Sequence, residues 1–349
     1  MNKRSIYGLT LKDWEDFMMT NDQPKFRAAQ LFDWLHVKQV MSYDEMKNVP
    51  KALLELIANV FDFTTFEIIN HQTTSEQSKE QTSKFLFKLT DGNLIETVLM
   101  RYAHGLSICV TTQIGCRIGC SFCASTIGGL VRNLDAGEIV GQVIRVSQVV
   151  GERISNVVIM GIGEPFENYD AVSAFINIIN DAKGLNIGAR HITVSTSGIV
   201  PRIYDFANEH KQVSLAISLH AANDSLRSKI MKINRAYPLS ELMKAVRFYL
   251  KVTNRRITFE YLLMGEVNDL AEHAYQLVRL VKGLNCHINL IPLNPVADLG
   301  ISRSSKNQVA QFKEILEAAK INVTIRRELG LKIEAACGQL RVRQLQSVE

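Results

Sequence analysis

No uninterrupted apolar run among the 349 residues is long enough to span a bilayer, which excludes a chain built around membrane-crossing helices. Low-complexity tracts are absent too, and a 46% apolar, 21% charged composition is ordinary for a globular chain with a real core. The N-terminal stretch MNKRSIYGLTLKDWEDF turns charged before a signal-like apolar segment develops, so a cytoplasmic location is expected. Charge of one sign is also scarce. A formal net charge of +5 is mildly basic, permitting a polyanionic partner such as RNA without requiring one. At this length the chain holds one large domain, or one large and one small.

Six cysteines are present, at positions 109, 116, 120, 123, 286 and 337. A cytosolic chain of this size needs no disulfide framework, and four of the six fall within fifteen residues, which points to metal or redox chemistry. Residues 1 to about 65 read as helices: LKDWEDFMM, KFRAAQLFDWLHVKQV and PKALLELIANVF carry apolar residues at three- and four-residue intervals. SKFLFKL and NLIETVLM, joined through Thr90-Asp91-Gly92, predict a hairpin. From about 105, six nearly all-apolar strands alternate with amphipathic helices: ICVTTQIG, NVVIMGIG, HITVSTSG, VSLAISLH, ITFEYLLM and HINLIPLN. That alternation predicts a parallel sheet with helices on its outer face. Six units rather than eight favour an incomplete barrel, although a doubly wound open sheet shows the same alternation. Polar and glycine-rich residues gather at the carboxyl ends of these strands, at Gly115-Cys116, Gly161 to Glu164, Ser195 to Gly198, Ser218 to His220 and Asn294, on the rim where parallel α/β folds bind ligands.

CRIGCSFC places Cys116, Cys120 and Cys123 in a Cys-x3-Cys-x2-Cys run. Three thiolates this close can each ligate a different iron of one cubane, leaving the fourth iron open. A structural zinc would want four ligands in paired Cys-x2-Cys spacings, and only one such pair is present. MGIGEP, taken alone, is no more than a tight strand-to-helix turn. Cys286, on an apolar strand, reads as a small buried hydrophobe.

The cysteine run is the signature of the radical S-adenosylmethionine superfamily, and the set CVTTQIGCRIGCSFCAS, MGIGEP, STSG, ISLHA, LIPLNP and AACGQL resembles the RlmN/Cfr family of RNA methyltransferases within it. The likeness includes KFRAAQLFDWLH and the hairpin, so it covers essentially the whole chain. It implies an α/β fold: an incomplete (β/α)6 radical SAM barrel over 105–325, a helical RNA-binding accessory domain over 1–68, a β-hairpin extension over 69–104, and a C-terminal segment over 326–349. The implied cofactors are a [4Fe–4S] cluster on Cys116, Cys120 and Cys123 and two molecules of S-adenosylmethionine per turnover, with Gly163, Glu164, Ser195, Ser218, Leu219, His220 and Asn294 as binding residues. The implied reaction methylates C2 of an adenosine in the peptidyl-transferase region of 23S rRNA and of the adenosine beside the tRNA anticodon. In it Cys337 becomes S-methylated, Glu96 is the proton acceptor, and Cys109 resolves the adduct by forming a disulfide with Cys337. Glu96 is conspicuous without the resemblance, as a carboxylate in the otherwise nearly apolar NLIETVLM, where desolvation raises a carboxyl pKa.

An external one-electron donor of flavodoxin or ferredoxin type and a monomeric chain without a membrane complete the expectation. Arg326, Arg327, Arg341 and Arg343 bracket Cys337 and are candidates for phosphate contacts, as are Lys25, Arg27, Phe32 and Trp34 for gripping RNA, with the two aromatics equally suited to a core. The nearest rival is the C8 methylation of Cfr proteins. TQIGC in place of QCGC, and GEP in place of GEA, favour C2. A non-catalytic RNA-binding protein with a structural metal is the alternative from another class.

Overall fold

The computed structural model describes residues 3–63, 66–74, 81–293 and 300–326. They fall into two compact units interleaved along the chain. The first comprises Met1–Ile114, Arg132–Gly161 and Asn168–Ile192; the second comprises Gly115–Val131, Ile162–Glu167 and Thr193–Glu349.

In the first unit the N-terminal helices form where the periodicity places them. Helix Leu11–Thr20 opens on a capping box, in which Thr10 Oγ1 accepts from Asp13 N at 3.1 Å and Asp13 Oδ2 accepts from Thr10 N at 2.9 Å. It buries Trp14 and Met18, one turn apart. Helix Phe26–His36 buries Leu31, Phe32 and Leu35, and helix Lys51–Val60, with Pro50 at its cap, buries Leu53 and Ile57. The expected hairpin is present. Strands Gln81–Lys88 and Leu94–Tyr102 pair antiparallel with Leu86 opposite Glu96, and Gly92 takes the left-handed conformation (φ 83°) that the turn requires. The hairpin does not end there. Strand Glu67–Thr73 pairs with its outer edge, strand Gly105–Cys109 pairs antiparallel with Leu94–Tyr102, and Ile154–Ile159 pairs parallel with Gly105–Cys109.

The second unit carries the parallel run. Strand Ile192–Thr196, all but its first residue in this unit, is followed in spatial order by Ser214–Ser218, Ile257–Leu263, Cys286–Pro292 and Asn322–Ile325, every neighbouring pair parallel. One face is apolar: Val194, Ile217, Phe259, Tyr261, Ile288 and Leu290 are fully buried, as are Phe206, Leu242, Val246 and Leu277 of the connecting helices. Cys286 lies on this buried face, as a small hydrophobe would. The other face is polar and partly accessible. Ser195, Ser218, Glu260, Asn289 and Thr324 run across five strands, linked by a 3.4 Å Ser195–Ser218 hydroxyl contact, a 2.8 Å hydrogen bond from Asn289 Nδ2 to Glu260 Oε2, and a 3.3 Å hydrogen bond from Thr324 to Asn289 Oδ1. Alternation of side chains across each strand separates the two faces. No helix among the described residues is long and apolar enough to cross a membrane.

Candidate functional site

The cysteine loop leaves strand geometry through Gly115, at φ 78°. A side chain there would strike the carbonyl oxygen of Gly129, so glycine is required on two counts. The Cys116 amide donates to that same carbonyl at 3.1 Å, closing the loop base, and Cys123 N donates to Cys120 O at 3.3 Å. Cys116 is buried, Cys120 and Cys123 half-buried. Burial drives the Cys116 thiol pKa up to about 12, with Glu164, Cys123 and Glu167 adding to the rise. Burial likewise raises Cys120, and both other thiols push it further. Three thiols close enough to oppose one another's ionisation form a site that disfavours anions until a cation arrives. Arg117 closes the loop's exposed side through a 2.7 Å ion pair with Glu167.

Glu164 is 3% exposed and accepts three hydrogen bonds: Oε1 from Thr196 Oγ1 at 2.7 Å and Phe166 N at 3.0 Å, Oε2 from Ser197 N at 2.7 Å. Desolvation raises its pKa and those donors pull it back. The carboxylate thus clamps its own loop, entered through Gly163 at φ 110°, to the end of strand Ile192–Thr196. Leu219 is fully buried. His220 adopts φ 56°; its Nδ1 accepts from Leu262 N at 3.0 Å, which places the proton on Nε2. Burial, with the Arg227 charge, lowers its pKa to about 3, so the ring is neutral. It meets Phe122 of the cysteine loop edge to face at 4.9 Å. Glu164, Ser195, Ser218, Leu219 and His220 therefore gather with the cysteine loop in one unit.

Glu96 and Cys109 belong to the first unit, where they share a sheet face. Cys109 stands directly opposite Val98, and Glu96 lies two residues along the same strand. The expected desolvation of Glu96 is seen, at 3% exposure, but the carboxylate is not alone: Lys84 Nζ, itself 0% exposed, lies 3.0 Å from Oε2. Lys84 is also directly opposite Val98, on the neighbouring strand. Val98, Met100, Val158 and Met160 pack around Cys109, and Ser107 and Thr82 join the same face opposite Met100. Cys109 and Cys116 do not share one regular strand: strand Gly105–Cys109 stops, and residues 110–112 are irregular. Asn294 and Cys337 lie outside the described residues, as do Arg327, Arg341 and Arg343. Arg326 is exposed at the end of the last strand.

Residues 110–279 match the radical SAM superfamily model, and residues 5–62 match that of the ribosomal RNA large subunit methyltransferase N-terminal domain. The chain is 56% identical over 343 residues to a probable dual-specificity RNA methyltransferase RlmN of Geobacillus thermodenitrificans, covering 97% of this chain and 93% of that one. It is 55% identical over 348 residues to the protein so named in Staphylococcus carnosus, covering 99% and 94%. The chain belongs to the RlmN family. A crystal structure of a radical SAM methyltransferase from Sphaerobacter thermophilus superposes with a TM-score of 0.89 at 44% identity, covering 96% of this chain and 98% of that one. The fold is therefore the radical SAM α/β fold, and membership of the superfamily implies S-adenosylmethionine and a [4Fe–4S] cluster. The residues present fit such a cluster. Among the described residues no three Cys, His, Asp or Glu side chains converge on a single-ion site, but a cubane needs no such convergence, since each thiolate meets a different iron. The mutually repelling thiols at Cys116, Cys120 and Cys123 supply the donor set.

Three residues of these two regions were not picked out from the sequence. Arg227 sits in ANDSLRSKIM with nothing to mark it, yet it is 0% exposed. Lys84, in the hairpin strand SKFLFKL, carries no mark of its own, yet it is fully buried. Glu260, in ITFEYLLM, had the same clue as Glu96, a carboxylate in an apolar run, and is buried beside Asn289. Of the four residues considered for gripping RNA, Phe32 is core, at 0% exposure. Lys25 pairs with Glu15 at 3.0 Å, and the Trp34 ring lies under Lys38 Nζ at 3.7 Å. Phe26, not singled out earlier, is an exposed aromatic of the same helix, with the Arg27 guanidinium 4.7 Å above its ring.

Proposed function

We propose that this RlmN-family chain methylates C2 of adenosine in 23S rRNA and tRNA, using two molecules of S-adenosylmethionine per turnover and a covalent RNA–cysteine adduct. An adenine C2 is electron-poor and has no lone pair, so a methyl sulfonium cannot alkylate it by displacement. Bound at Cys116, Cys120 and Cys123, the cluster would supply the electron that cleaves S-adenosylmethionine into a hydrogen-abstracting radical. The other parts fall to side chains. Cys337, as thiolate, takes the first methyl group by displacement. Ser195, Ser218, Leu219, His220 and the backbone at Gly163 hold the cofactor along the strand ends, with Asn294 as a further binding residue, and Glu164 fixes the shape of its own loop. The Cys337 S-methyl group, having lost a hydrogen atom to that radical, bonds through its carbon to C2; the adduct then gives up one electron, which returns to the cysteine-held centre, and its C2 proton to Glu96, oriented by Lys84. Cys109, as thiolate, then attacks the Cys337 sulfur; the sulfur–carbon bond breaks, its electron pair stays with the carbon, which takes up a proton to become the methyl group of the product, and a Cys109–Cys337 disulfide is left for an external thiol reductant.

The observation that carries this reading is the shared face of Glu96 and Cys109: a buried, cation-oriented carboxylate diagonal to a buried thiol in an apolar setting. A base and a resolving thiol acting on one covalent adduct need that proximity. RNA substrates are supported by the names of the relatives, and the exposed Phe26 beside half-buried Arg27, and half-buried Trp34 beneath the exposed Lys38, suit bases and phosphates. An external one-electron donor and a monomeric chain complete the proposal. The test is anaerobic turnover on an rRNA fragment and on tRNA, with mass spectrometry of the digested nucleosides. 2-Methyladenosine is expected from both; 8-methyladenosine would assign the chain to the Cfr activity instead.

A further inference from the structure

Arg227 projects from the helix Asp224–Ile230 into a place water does not reach. Its Nε donates to Leu219 O at 3.1 Å, Nη1 to Asn234 Oδ1 at 2.9 Å, and Nη2 to Ser197 O at 2.7 Å and Ser218 O at 3.2 Å. Every acceptor is neutral. A buried cation without an anionic partner carries a large desolvation penalty. The penalty lowers the Arg227 pKa to about 10, which leaves the group charged at neutral pH. Asp224 offers a charge only from a distance, since its Oδ1 accepts from Asn234 Nδ2 at 2.9 Å and Leu239 N at 2.8 Å.

The same helix is fastened to the cysteine loop. Ser121 N donates to Ile230 O at 3.0 Å, and Cys120 and Phe122 pack with Leu226 and Ile230 in one apolar cluster. The guanidinium charge reaches Cys120, where it opposes the rise that burial causes. Its four hydrogen bonds hold it against the ends of two parallel strands, so it cannot swing out to touch a ligand. What it offers the cysteine loop is a fixed field in a low-dielectric setting.

We propose that Arg227 is the built-in counter-charge of the cluster, raising its reduction potential by stabilising the reduced state. This rests on the reading that Cys116, Cys120 and Cys123 hold that cluster. Reduction adds one electron, delivered by the external donor, to a centre that three thiolates have already made anionic, and a nearby fixed cation favours the more negative state. Burial of an otherwise unbalanced charge then has a reason: its partner is the anion that the loop assembles.

The test is a mediated redox titration of the full-length, anaerobically reconstituted chain, followed by the electron paramagnetic resonance signal of the reduced cluster, with iron and sulfide counted first. Arg227→Gln removes the charge, and its potential should fall by at least a tenfold change in the one-electron equilibrium, about 59 mV. Arg227→Lys keeps the charge and should remain much nearer the wild type. Asp224→Asn removes an opposing charge while its side-chain oxygen can still accept; at low ionic strength it should move the potential upward by a smaller amount. A full cluster with unchanged potential in Arg227→Gln, or an equal fall in Arg227→Lys, would overturn the proposal. If Arg227→Gln does not fold or load, Asp224→Asn decides, and an unchanged or lower potential there overturns it. A wild-type chain that holds no cubane would overturn the cluster reading itself.

Discussion

The cysteine loop with its rim and the face that carries Glu96 both bury charge, but they stabilise it by opposite means. Around the loop, the charges are dispersed: Glu164 is held by a hydroxyl and two backbone amides, and Arg227 by three carbonyls and one amide side chain. Ser197 joins the two, its N–H donating to Glu164 and its C=O accepting from Arg227. On the Glu96 face the charge is compensated head-on, by Lys84 at 3.0 Å. A dispersed charge projects its field onto whatever binds nearby, whereas a paired charge is oriented and largely cancelled. The first arrangement suits an electron-transfer centre, the second a base that must hold one direction.

That comparison breaks most completely at the cysteines. Cys116→Ala should eliminate the cubane and turnover together, read by anaerobic iron and sulfide analysis. The next effect belongs to the paired face. Lys84→Met leaves a buried carboxylate without its cation and should cost about 3–5 kcal/mol in denaturant unfolding. Adding Glu96→Leu to it should recover most of that stability while abolishing turnover, because replacing both members of a buried pair with apolar groups is often neutral. On the dispersed side, Glu164→Gln presents amide hydrogens to donors that need an acceptor. It should cost about 2–3 kcal/mol, less than the Lys84 change, because no whole charge is stranded.

The smallest effect sharpens the contrast with a buried group that has neither kind of support. His36, 1% exposed and with both ring nitrogens lacking a hydrogen-bond partner, has its pKa lowered by burial to about 3. Below its ordinary value of 6.5 the unfolded chain binds a proton that the folded chain refuses. Stability is therefore complete above pH 6.5 and declines as pH falls toward about 3. His36→Phe should flatten that decline, gaining about 2 kcal/mol at pH 5 over its effect at pH 7.5, measured by urea unfolding at the two pH values.

The loop was legible in the sequence because its parts are contiguous: three cysteines within eight residues, a glycine where the turn forbids a side chain, and polar residues where each apolar strand stops. The parallel strands were legible for the same local reason, an apolar run followed by a helix period. The Glu96 face was half legible. A carboxylate in an apolar strand announces burial, but its partner sits twelve residues earlier and Cys109 thirteen later, and only strand register brings the three onto one face. The hairpin's continuation into pairing with Gly105–Cys109 was hidden likewise, since the two-residue link Ala103–His104 carries no strong turn signal. Arg227 was not legible at all. A solvated helix face and a buried guanidinium look alike in sequence, and what separates them is where the carbonyls of residues 197, 218 and 219 point.

The covalent route is tested most directly by Cys109→Ala, reconstituted without air and incubated with S-adenosylmethionine, reductant and an rRNA fragment, then analysed by denaturing electrophoresis and peptide mass spectrometry. The account predicts an RNA adduct on Cys337 that persists because no thiol is left to resolve it. Free methylated RNA released at the wild-type rate would contradict it.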